Sequence, residues 1–519
     1  MSVTLGPIAL AAVCLTSTSC APMERALFEE AEPSLRAAGP TASAPRAPGR
    51  AAPKVAARPK SPERVPTEPP RELAATSGES AESFFASAAR AVEASASDAG
   101  VQTLASAAAP PAAVVAERPA EHAQTDAALE SQALGATELV ELPLERREGE
   151  LDSPSDADTS LRARLEEQGI AFTASLWLDA HRVERGGLER GSVMNSYLDL
   201  SATFDLGALA GIDNALVFAN AYATNGRNVS DLAGDWQVLS NTANDRHIEQ
   251  LAQLFYEQTF ADGAWRLKLG KADVNVDFAA ASHAGEFVQS SAGFSPTIFA
   301  LPTYPEPSTG GALFWQASEA LSLGVGVFDG AANAGFHTGS RGPSTLFGTP
   351  SDLFAIGEGN VSWGVGEEGL AGRLALGTWH HDGDFARFDG GSEAGTGGNY
   401  AILEQELARV DGASIASFTQ WGEADDAVAE VEQHLAAGVV ATGCFERPDD
   451  AFGVYWSRVR FSEALGTSAS SETACECFYR WQVRPWLALK PDVQWIANPG
   501  GDATLDDALV LTLRLHADF

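Results

Sequence analysis

Charged side chains recur at every second position in several aromatic-rich segments of this chain. Arg266 and Lys268 alternate with apolar residues in one segment, and Glu476 and Arg480 share one parity of another. Successive side chains of a strand point to opposite faces, so each segment predicts a strand with one apolar and one charged face. Facing rows of acids and bases offer hydrogen-bond acceptors and donors together, a surface that suits polyhydroxylated solutes.

Such charged faces are expected to line water rather than lipid. A charge on the lipid face of a membrane strand costs about 2–4 kcal/mol at mid-bilayer, so the charged parity of each segment is assigned to the inside of a barrel. The predicted pore-lining residues are Glu257, Arg266, Lys268, Arg373, Arg458, Arg460, Glu476, Arg480, Asp492 and Gln494.

Catalytic and metal-site interpretations have weaker support. Residues 380–384 read H-H-D-G-D, but they fall in a predicted external loop, where no surrounding contacts would orient metal ligands. Cys444, Cys475 and Cys477 provide too few convergent ligands for zinc, and the thiols of the last two are expected to face lipid. No local Ser/His/acid signature and no phosphate-binding glycine loop occurs. The sequence therefore predicts no catalytic site, no metal site and no cofactor.

The final segment, 508–519, shows the strand pattern most clearly. Leu511 and Leu513 share one parity, and Arg514 lies on the other, mostly polar parity. A tilted transmembrane strand needs about 9–11 residues, and this segment is long enough. A strand of a soluble sandwich is the alternative interpretation of this segment taken alone.

The same alternation, punctuated by Gly, Asp and Asn, predicts an all-β fold with sixteen strands, an even number typical of a transmembrane antiparallel barrel with an aqueous channel. The predicted strands are 170–183, 192–206, 214–226, 249–260, 264–270, 309–318, 321–329, 354–364, 370–381, 399–409, 413–421, 434–444, 452–461, 472–483, 486–497 and 508–519. Short links such as 410–412 alternate with long ones such as 382–398 and 422–433, which predicts short periplasmic turns and long external loops.

Composition narrows the class of protein. The 519 residues carry a formal net charge of −36, which argues against nucleic acid as a partner, because phosphate binding calls for a basic face. No apolar run reaches the length of about 20 residues that a transmembrane helix needs. A closed β-barrel is the other backbone arrangement that satisfies its hydrogen bonds within lipid.

The N-terminal part differs sharply from the rest. Residues 1–20 contain an apolar core of signal-peptide length, although no Lys or Arg precedes Arg25, and lipidation of Cys20 is an alternative. Residues 21–165 are rich in Ala, Pro, Ser and Glu and poor in aromatics, so a disordered extension is predicted, with a tether or an oligomerisation helix as alternatives. The barrel is predicted to occupy 166–519.

Several motifs give the barrel a family resemblance. The segment P-W-L-A-L-K-P-D-V-Q-W-I-A-N-P-G-G runs from Pro485 to Gly501 and is followed by the closing A-L-V-L-T-L-R-L strand. Upstream stand E-x3-E-x-F-Y-R-W-Q from 472, E-R-P-D-D-A-F-G-V from 446 and F-A-L-P-T-Y-P-E-P-S-T-G-G from 299. In this order and content the chain resembles the carbohydrate-selective porin family of Gram-negative outer membranes, the OprB type.

The resemblance implies a sixteen-stranded outer-membrane porin that passes sugars down their gradient, embedded in lipid and able to form homo-oligomers. It also implies an inward-folded loop, expected at 272–307, and a constriction lined by arginines with glutamates. Glu476, Arg480, Asp492 and Gln494 lie within matching motifs. Two alternatives stay open: a general or anion-preferring diffusion pore, and a non-conducting barrel that anchors the N-terminal segment.

Overall fold

The computed structural model describes most of the aromatic-rich part of the chain. The described residues are 161–243, 246–342, 346–348, 350–410 and 412–519. The predicted signal peptide and the predicted disordered extension up to residue 160 lie outside them. The first described residues form a short helix, Leu161–Glu167.

Alternating segments form sixteen antiparallel strands among the described residues. The strands are β1 Ile170–Arg185, β2 Gly191–Asp205, β3 Ala215–Gly226, β4 Ile248–Phe260, β5 Trp265–Ala272, β6 Ser308–Ser318, β7 Leu321–Asp329, β8 Leu353–Val365, β9 Leu370–Ala386, β10 Ser392–Val410, β11 Ala413–Ala424, β12 Val431–Thr442, β13 Ala451–Phe461, β14 Ser471–Arg484, β15 Leu487–Ala497 and β16 Ala508–Asp518. Each pairs with the next, and β16 pairs with β1, so the sheet closes. Closure pairs every strand edge, as lipid requires. The predicted sixteen-stranded barrel is confirmed.

Helices are short and lie outside the strands. The α-helices are α1 Leu161–Glu167, α2 Leu206–Ala210, α3 Ser230–Ala233 and α4 Ser290–Gly293, and the 3₁₀ turns are Val274–Val276, Ser282–Ala284, Ala331–Ala334, Thr338–Ser340, Cys444–Glu446, Glu463–Leu465 and Pro499–Gly501. In the described part of the chain no helix is long and apolar enough to cross a membrane.

The two longest strands, β9 and β10, correct one prediction. Residues 382–398 were expected to form a long external loop, but β9 continues to Ala386 and β10 begins at Ser392. The alternation continues through this region, because His381 and Phe385 are buried while their neighbours are exposed. Polar side chains on the outward parity hid that alternation in the sequence.

The two ends of the barrel carry links of different length. Long links join β3 to β4, β5 to β6 and β7 to β8 at one end, where they span 227–247, 273–307 and 330–352. At the other end, residues 319–320 join β6 to β7 and residues 485–486 join β14 to β15. Outer-membrane barrels place long loops outside and short turns in the periplasm, so the end with the long links is the external end.

Residues 273–307, here called the pore loop, fold into the barrel. They contact Lys268 of β5, Glu404 of β10 and Glu476 of β14. Because these strands lie on different sides of the closed sheet, a segment that touches all three crosses the interior. The inward fold expected for 272–307 is therefore observed.

Apolar packing holds the pore loop against the inner wall. Phe278, Phe287 and Ile298 of the loop are buried in one cluster with wall residues such as Phe418 and Tyr455. The Phe287 ring centroid lies 5.3 Å from that of Tyr455 and 5.8 Å from that of Phe418. Each fully buried large side chain contributes roughly 1.5–3 kcal/mol, so the loop is a packed part of the barrel interior.

Candidate functional site

Arg266 and Lys268 of β5 both reach the pore loop at Asp277. Arg266 Nη1 lies 2.9 Å from Asp277 Oδ1 and 3.0 Å from Glu257 Oε2. Lys268 Nζ lies 2.6 Å from Asp277 Oδ2 and 3.5 Å from Glu257 Oε2. Lys268 and Glu257 are almost fully buried, whereas 23% of the Arg266 side chain is exposed. The two acids therefore fix Arg266, and Arg266 is the wall residue of this cluster that meets water.

Arg373 of β9 is held by its neighbouring strands and by the pore loop together. Its Nε donates to Glu404 Oε2 at 2.7 Å and its Nη1 to Asn360 Oδ1 at 3.1 Å. Its Nη2 donates to the carbonyl of Ala280 in the pore loop. Glu404 also accepts a hydrogen bond from the Ser282 hydroxyl at 2.7 Å. One carboxylate thus orients the arginine and anchors the loop, and 27% of the Arg373 side chain stays exposed.

Arg480 of β14 and Lys490 of β15 converge on Glu286 of the pore loop. Arg480 Nη1 lies 2.6 Å from Glu286 Oε1, and Lys490 Nζ lies 2.6 Å from Glu286 Oε2. Burial alone would raise the pKa of Glu286, but Lys490 and Arg480 outweigh burial and hold this pKa well below its ordinary value. The Glu286 carboxylate therefore stays charged near neutral pH. It holds Arg480 in place, and 19% of the Arg480 side chain is exposed.

Glu476 of β14 clamps the backbone of the pore loop. Its Oε1 accepts the Val288 N–H at 2.6 Å and its Oε2 accepts the Gln289 N–H at 2.8 Å. Glu358 of β8 does the same for the Ala279 N–H at 2.8 Å. Carboxylates that accept buried backbone donors form stronger hydrogen bonds than neutral acceptors. These inward-facing carboxylates therefore bind the backbone of the pore loop and do not face the open channel.

Asp492 and Gln494 of β15 lie beside Glu476 and are also buried. Gln494 Nε2 donates to the Leu239 carbonyl at 2.9 Å and to Asp492 Oδ1 at 3.3 Å. Leu239 belongs to the chain between β3 and β4, so a second inward segment is tied to the wall here. Both residues face inward, but they lie beneath covering loops.

The seam between β1 and β16 holds an ion pair that the sequence interpretation missed. Arg514 donates from Nε and Nη2 to the two carboxylate oxygens of Asp179 at 2.8 and 2.9 Å, and both side chains are buried. The Thr242 hydroxyl donates to Asp179 Oδ2 at 2.7 Å. Arg514 lies on the polar parity of the closing strand, and this position is the sequence feature that could have indicated an inward-facing arginine.

Arg458 and Arg460 of β13 lie on the outer face, so their predicted lumen placement is wrong. The intervening Ser457 donates from its hydroxyl to Gln237, and the Tyr455 hydroxyl lies 3.0 Å from that of Ser291 in the pore loop. The parity of Ser457 therefore faces inward and that of Arg458 outward. Aromatic residues occupy both faces of this strand, because the inner face packs against loops, so hydrophobicity could not separate the two faces.

The ten predicted pore-lining residues thus divide into three groups. Arg266, Arg373 and Arg480 face inward and stay partly exposed. Glu257, Lys268, Glu476, Asp492 and Gln494 face inward but are buried. Arg458 and Arg460 face outward. Asp277 and Glu286, which hold two of the exposed arginines, lie in the non-periodic pore loop, where parity gives no signal.

A family comparison decides the class of this barrel. The model of the carbohydrate-selective porins, OprB family, matches residues 194–519. The chain belongs to this family. The OprB family and the closed barrel place the protein in the Gram-negative outer membrane as a porin, and both point to a channel rather than an enzyme.

Individual relatives agree with the family match. Porin B of Pseudomonas aeruginosa is 24% identical over 319 residues, which cover 52% of this chain and 68% of that protein. The high-pH structure of Pseudomonas putida OprB is 20% identical, covers 69% of this chain and 96% of its own, and superposes with a TM-score of 0.61. At this identity the structural match shows a shared fold.

The histidine and cysteine groups of this OprB-family porin do not converge on a metal. His380 faces outward, while His381 is buried on the inner face with Nε2 2.9 Å from the Gly330 carbonyl. Cys475 and Cys477 lie on the parity opposite the inward Glu476, toward lipid. Among the described residues, no group of three or more His, Cys, Asp and Glu side chains could hold a metal ion.

Asp235 gives the external end of this porin a pH-dependent element. It is buried in the link that joins β3 to β4 and lies beside Glu472. The Glu472 carboxylate accepts hydrogen bonds from the Trp236 and Gln237 N–H groups at 2.7 and 3.0 Å. Burial raises the pKa of Asp235 to about 6. The folded state therefore favours the protonated acid, and it loses stability as pH rises from about 4 through about 6.

We expect Asp235→Asn to stabilise the protein at pH 8 and not at pH 4. The amide mimics the protonated acid, so the gain in unfolding free energy is about 1–3 kcal/mol at pH 8 and vanishes once the wild-type acid is protonated. Thermal unfolding of the refolded proteins at both pH values measures it. Asp231→Asn, in the same segment, is the control. An equal gain at both pH values would show that the effect is not titration of Asp235.

Proposed function

We propose that this porin passes small sugars by passive diffusion through the space between the pore loop and the barrel wall. The observation that carries the proposal is the trio of Arg266, Arg373 and Arg480, each partly exposed and each hydrogen-bonded to a pore-loop acceptor. The membership in a carbohydrate-selective family supports the same substrate class.

The three guanidinium groups suit sugar hydroxyls because they are fixed in place. Each guanidinium carries five N–H donors in a rigid fork. A donor held by one acceptor loses little further entropy when another of its N–H groups meets a passing hydroxyl. Weak contacts at several successive donors allow a solute to enter and leave, as conduction requires. A sugar is thus led along the loop without being trapped.

Anion preference is the second candidate, and the pattern of exposure favours it as a companion property. The acidic partners of the arginines are more deeply buried than the arginines: 1% of the Glu257 side chain and 3% of the Glu404 side chain are exposed. The water-exposed charge beside the pore loop is therefore mainly positive, although the whole chain is acidic. Sugar acids carry both recognised features, hydroxyls and a carboxylate.

Planar bilayer recording of the refolded full-length protein tests the proposal. We expect discrete current steps, a reversal potential that favours anions in a salt gradient, and a current that falls saturably as glucose is added. A fall that matches the viscosity effect of any neutral solute would remove the sugar interaction. An absence of steps from protein shown to be folded would favour a barrel that only anchors the N-terminal segment.

A further inference from the structure

A continuous row of polar side chains crosses the outer face of five neighbouring strands. Strand register places Arg460 of β13 beside Gln433, Gln433 beside Glu423, Glu423 beside Asn399, and Asn399 beside Thr378 of β9. All five lie on the outward parity, since their chain neighbours contact the pore loop or the barrel interior. The five polar residues therefore form a continuous polar band across the outer face.

The next register row toward the periplasm is apolar apart from one arginine. It consists of Arg458, Leu435, Trp421, Ala401 and Leu376. Tryptophan concentrates where the hydrocarbon meets the headgroups, so Trp421 marks that boundary on this side of the barrel. The polar row lies one step closer to the external end and therefore at the level of the outer-leaflet headgroups.

Arg458 reaches from the apolar row into the polar row. Its Nη2 donates to the Ser471 hydroxyl at 3.1 Å, and Ser471 is the register partner of Arg460. A long basic side chain at a membrane boundary extends its charged end toward the headgroups in this way. Arg458 and Arg460, two positions apart on one face, thus bring two guanidinium groups to the headgroup level.

Other polar groups of the outer face lie near Arg460 or further along the same row. Arg460 pairs with Glu432, which fixes its position at the start of β12. At the far end of the row, Thr378, His380, Asn399 and Glu423 line a recess of about 480 Å³ on the outer face. The recess begins two strands from Arg460, about 10 Å away at the usual strand spacing, so it is not part of the same phosphate site.

We propose that Arg458 and Arg460 bind the phosphate groups of the lipid A headgroup in the outer leaflet. The outer leaflet of a Gram-negative outer membrane is built from this phosphorylated glycolipid, and the planar guanidinium fork matches phosphate oxygens two at a time. Lipid A thereby seats the barrel at a fixed height through contacts outside the channel. This inference is independent of what the channel passes.

Native mass spectrometry of the refolded full-length protein tests the lipid site. The probes are bisphosphorylated lipid A, the same lipid A after removal of its phosphates, and inorganic phosphate as competitor. We expect the wild-type protein to retain bisphosphorylated lipid A, and R458A/R460A to retain about tenfold less, because charge-assisted hydrogen bonds to phosphate are lost. R458K/R460K, which keeps the charge without the fork, is expected to lie between them.

Controls separate the lipid site from folding and from transport. R341A removes an exposed arginine from the link between β7 and β8 and is expected to retain lipid A as the wild-type protein does. Glucose flux and the midpoint of thermal unfolding are expected to be the same in R458A/R460A and wild type, and an unchanged midpoint shows that the variant is folded. If R458A/R460A misfolds and R458K/R460K folds, the retention of lipid A by R458K/R460K tests the site.

Three results would overturn the assignment. Equal retention of dephosphorylated lipid A would show that phosphate is not recognised. Displacement of lipid A by inorganic phosphate at comparable concentration would show a site for free anions rather than for a lipid. A loss of oligomers in R458A/R460A without a change in lipid A binding would make the polar row a contact between copies of this chain.

Discussion

Replacing Arg373 and Arg480 together by alanine is expected to abolish most of the anion preference of the channel and to slow sugar entry. Both guanidinium groups are partly exposed beside the pore loop, while their acidic partners Glu404 and Glu286 stay in place. A unit charge interacts with a passing ion by about 1 kcal/mol at 4 Å in water-like surroundings. Losing two such charges changes the free energy of a passing ion by about 2 kcal/mol, so the anion-to-cation permeability ratio is expected to fall at least about tenfold.

Reversal potentials in a salt gradient measure this change, and the outer-face arginines supply a matched control. Arg458→Ala with Arg460→Ala removes the same two charges from the same barrel, but from its lipid-facing side. That control is expected to leave the reversal potential unchanged. A shift of equal size in both double variants would mean that net charge, rather than the position of Arg373 and Arg480, sets ion preference.

Replacing Glu476 by alanine is expected to loosen the pore loop and widen the channel. The carboxylate accepts two buried backbone N–H groups, from Val288 and Gln289, and each unsatisfied buried donor costs about 1–3 kcal/mol. Loss of the neighbouring charge relieves repulsion on Asp492 and offsets part of this cost. We expect a net destabilisation of roughly 2–4 kcal/mol, larger single-channel conductance and a larger limit of solute size.

Single-channel conductance and the exclusion of polyethylene glycols of graded size measure the widening. Glu367→Ala, in the exposed turn between β8 and β9, removes an acidic side chain without touching the pore loop and serves as the control. If Glu476→Ala kept the wild-type conductance and size limit while unfolding more easily, the clamp would stabilise the barrel without setting the width of the channel.

Strand alternation was sufficient to predict the barrel because period-two patterning reports burial on one face directly. The closing strand shows why: Leu511 and Leu513 meet lipid while Thr512 and Arg514 are buried inside. The same logic failed for β13, where Tyr455 and Phe461 are buried against loops and Trp456 faces lipid. When both faces of a strand are apolar, alternation cannot tell which one faces the lumen.

The roles of the inward acids could not be predicted either, because they depend on a segment without periodicity. Glu476 was expected on the wall as a channel-lining charge, but it accepts hydrogen bonds from backbone N–H groups of the pore loop. Sequence patterns do not report where a loop of this length crosses a barrel. The exposed arginines could be found from parity, whereas Asp277 and Glu286, which hold two of them, could not.

Swelling of liposomes that contain the refolded full-length protein tests the central claim most directly, with glucose compared against a neutral amino acid of similar size. Faster entry of glucose is the expected result, since fixed guanidinium donors along the pore loop favour hydroxyl-rich solutes. Equal entry of the two solutes would contradict sugar preference and leave a general diffusion pore. No swelling, from protein shown to be folded, would contradict a conducting channel altogether.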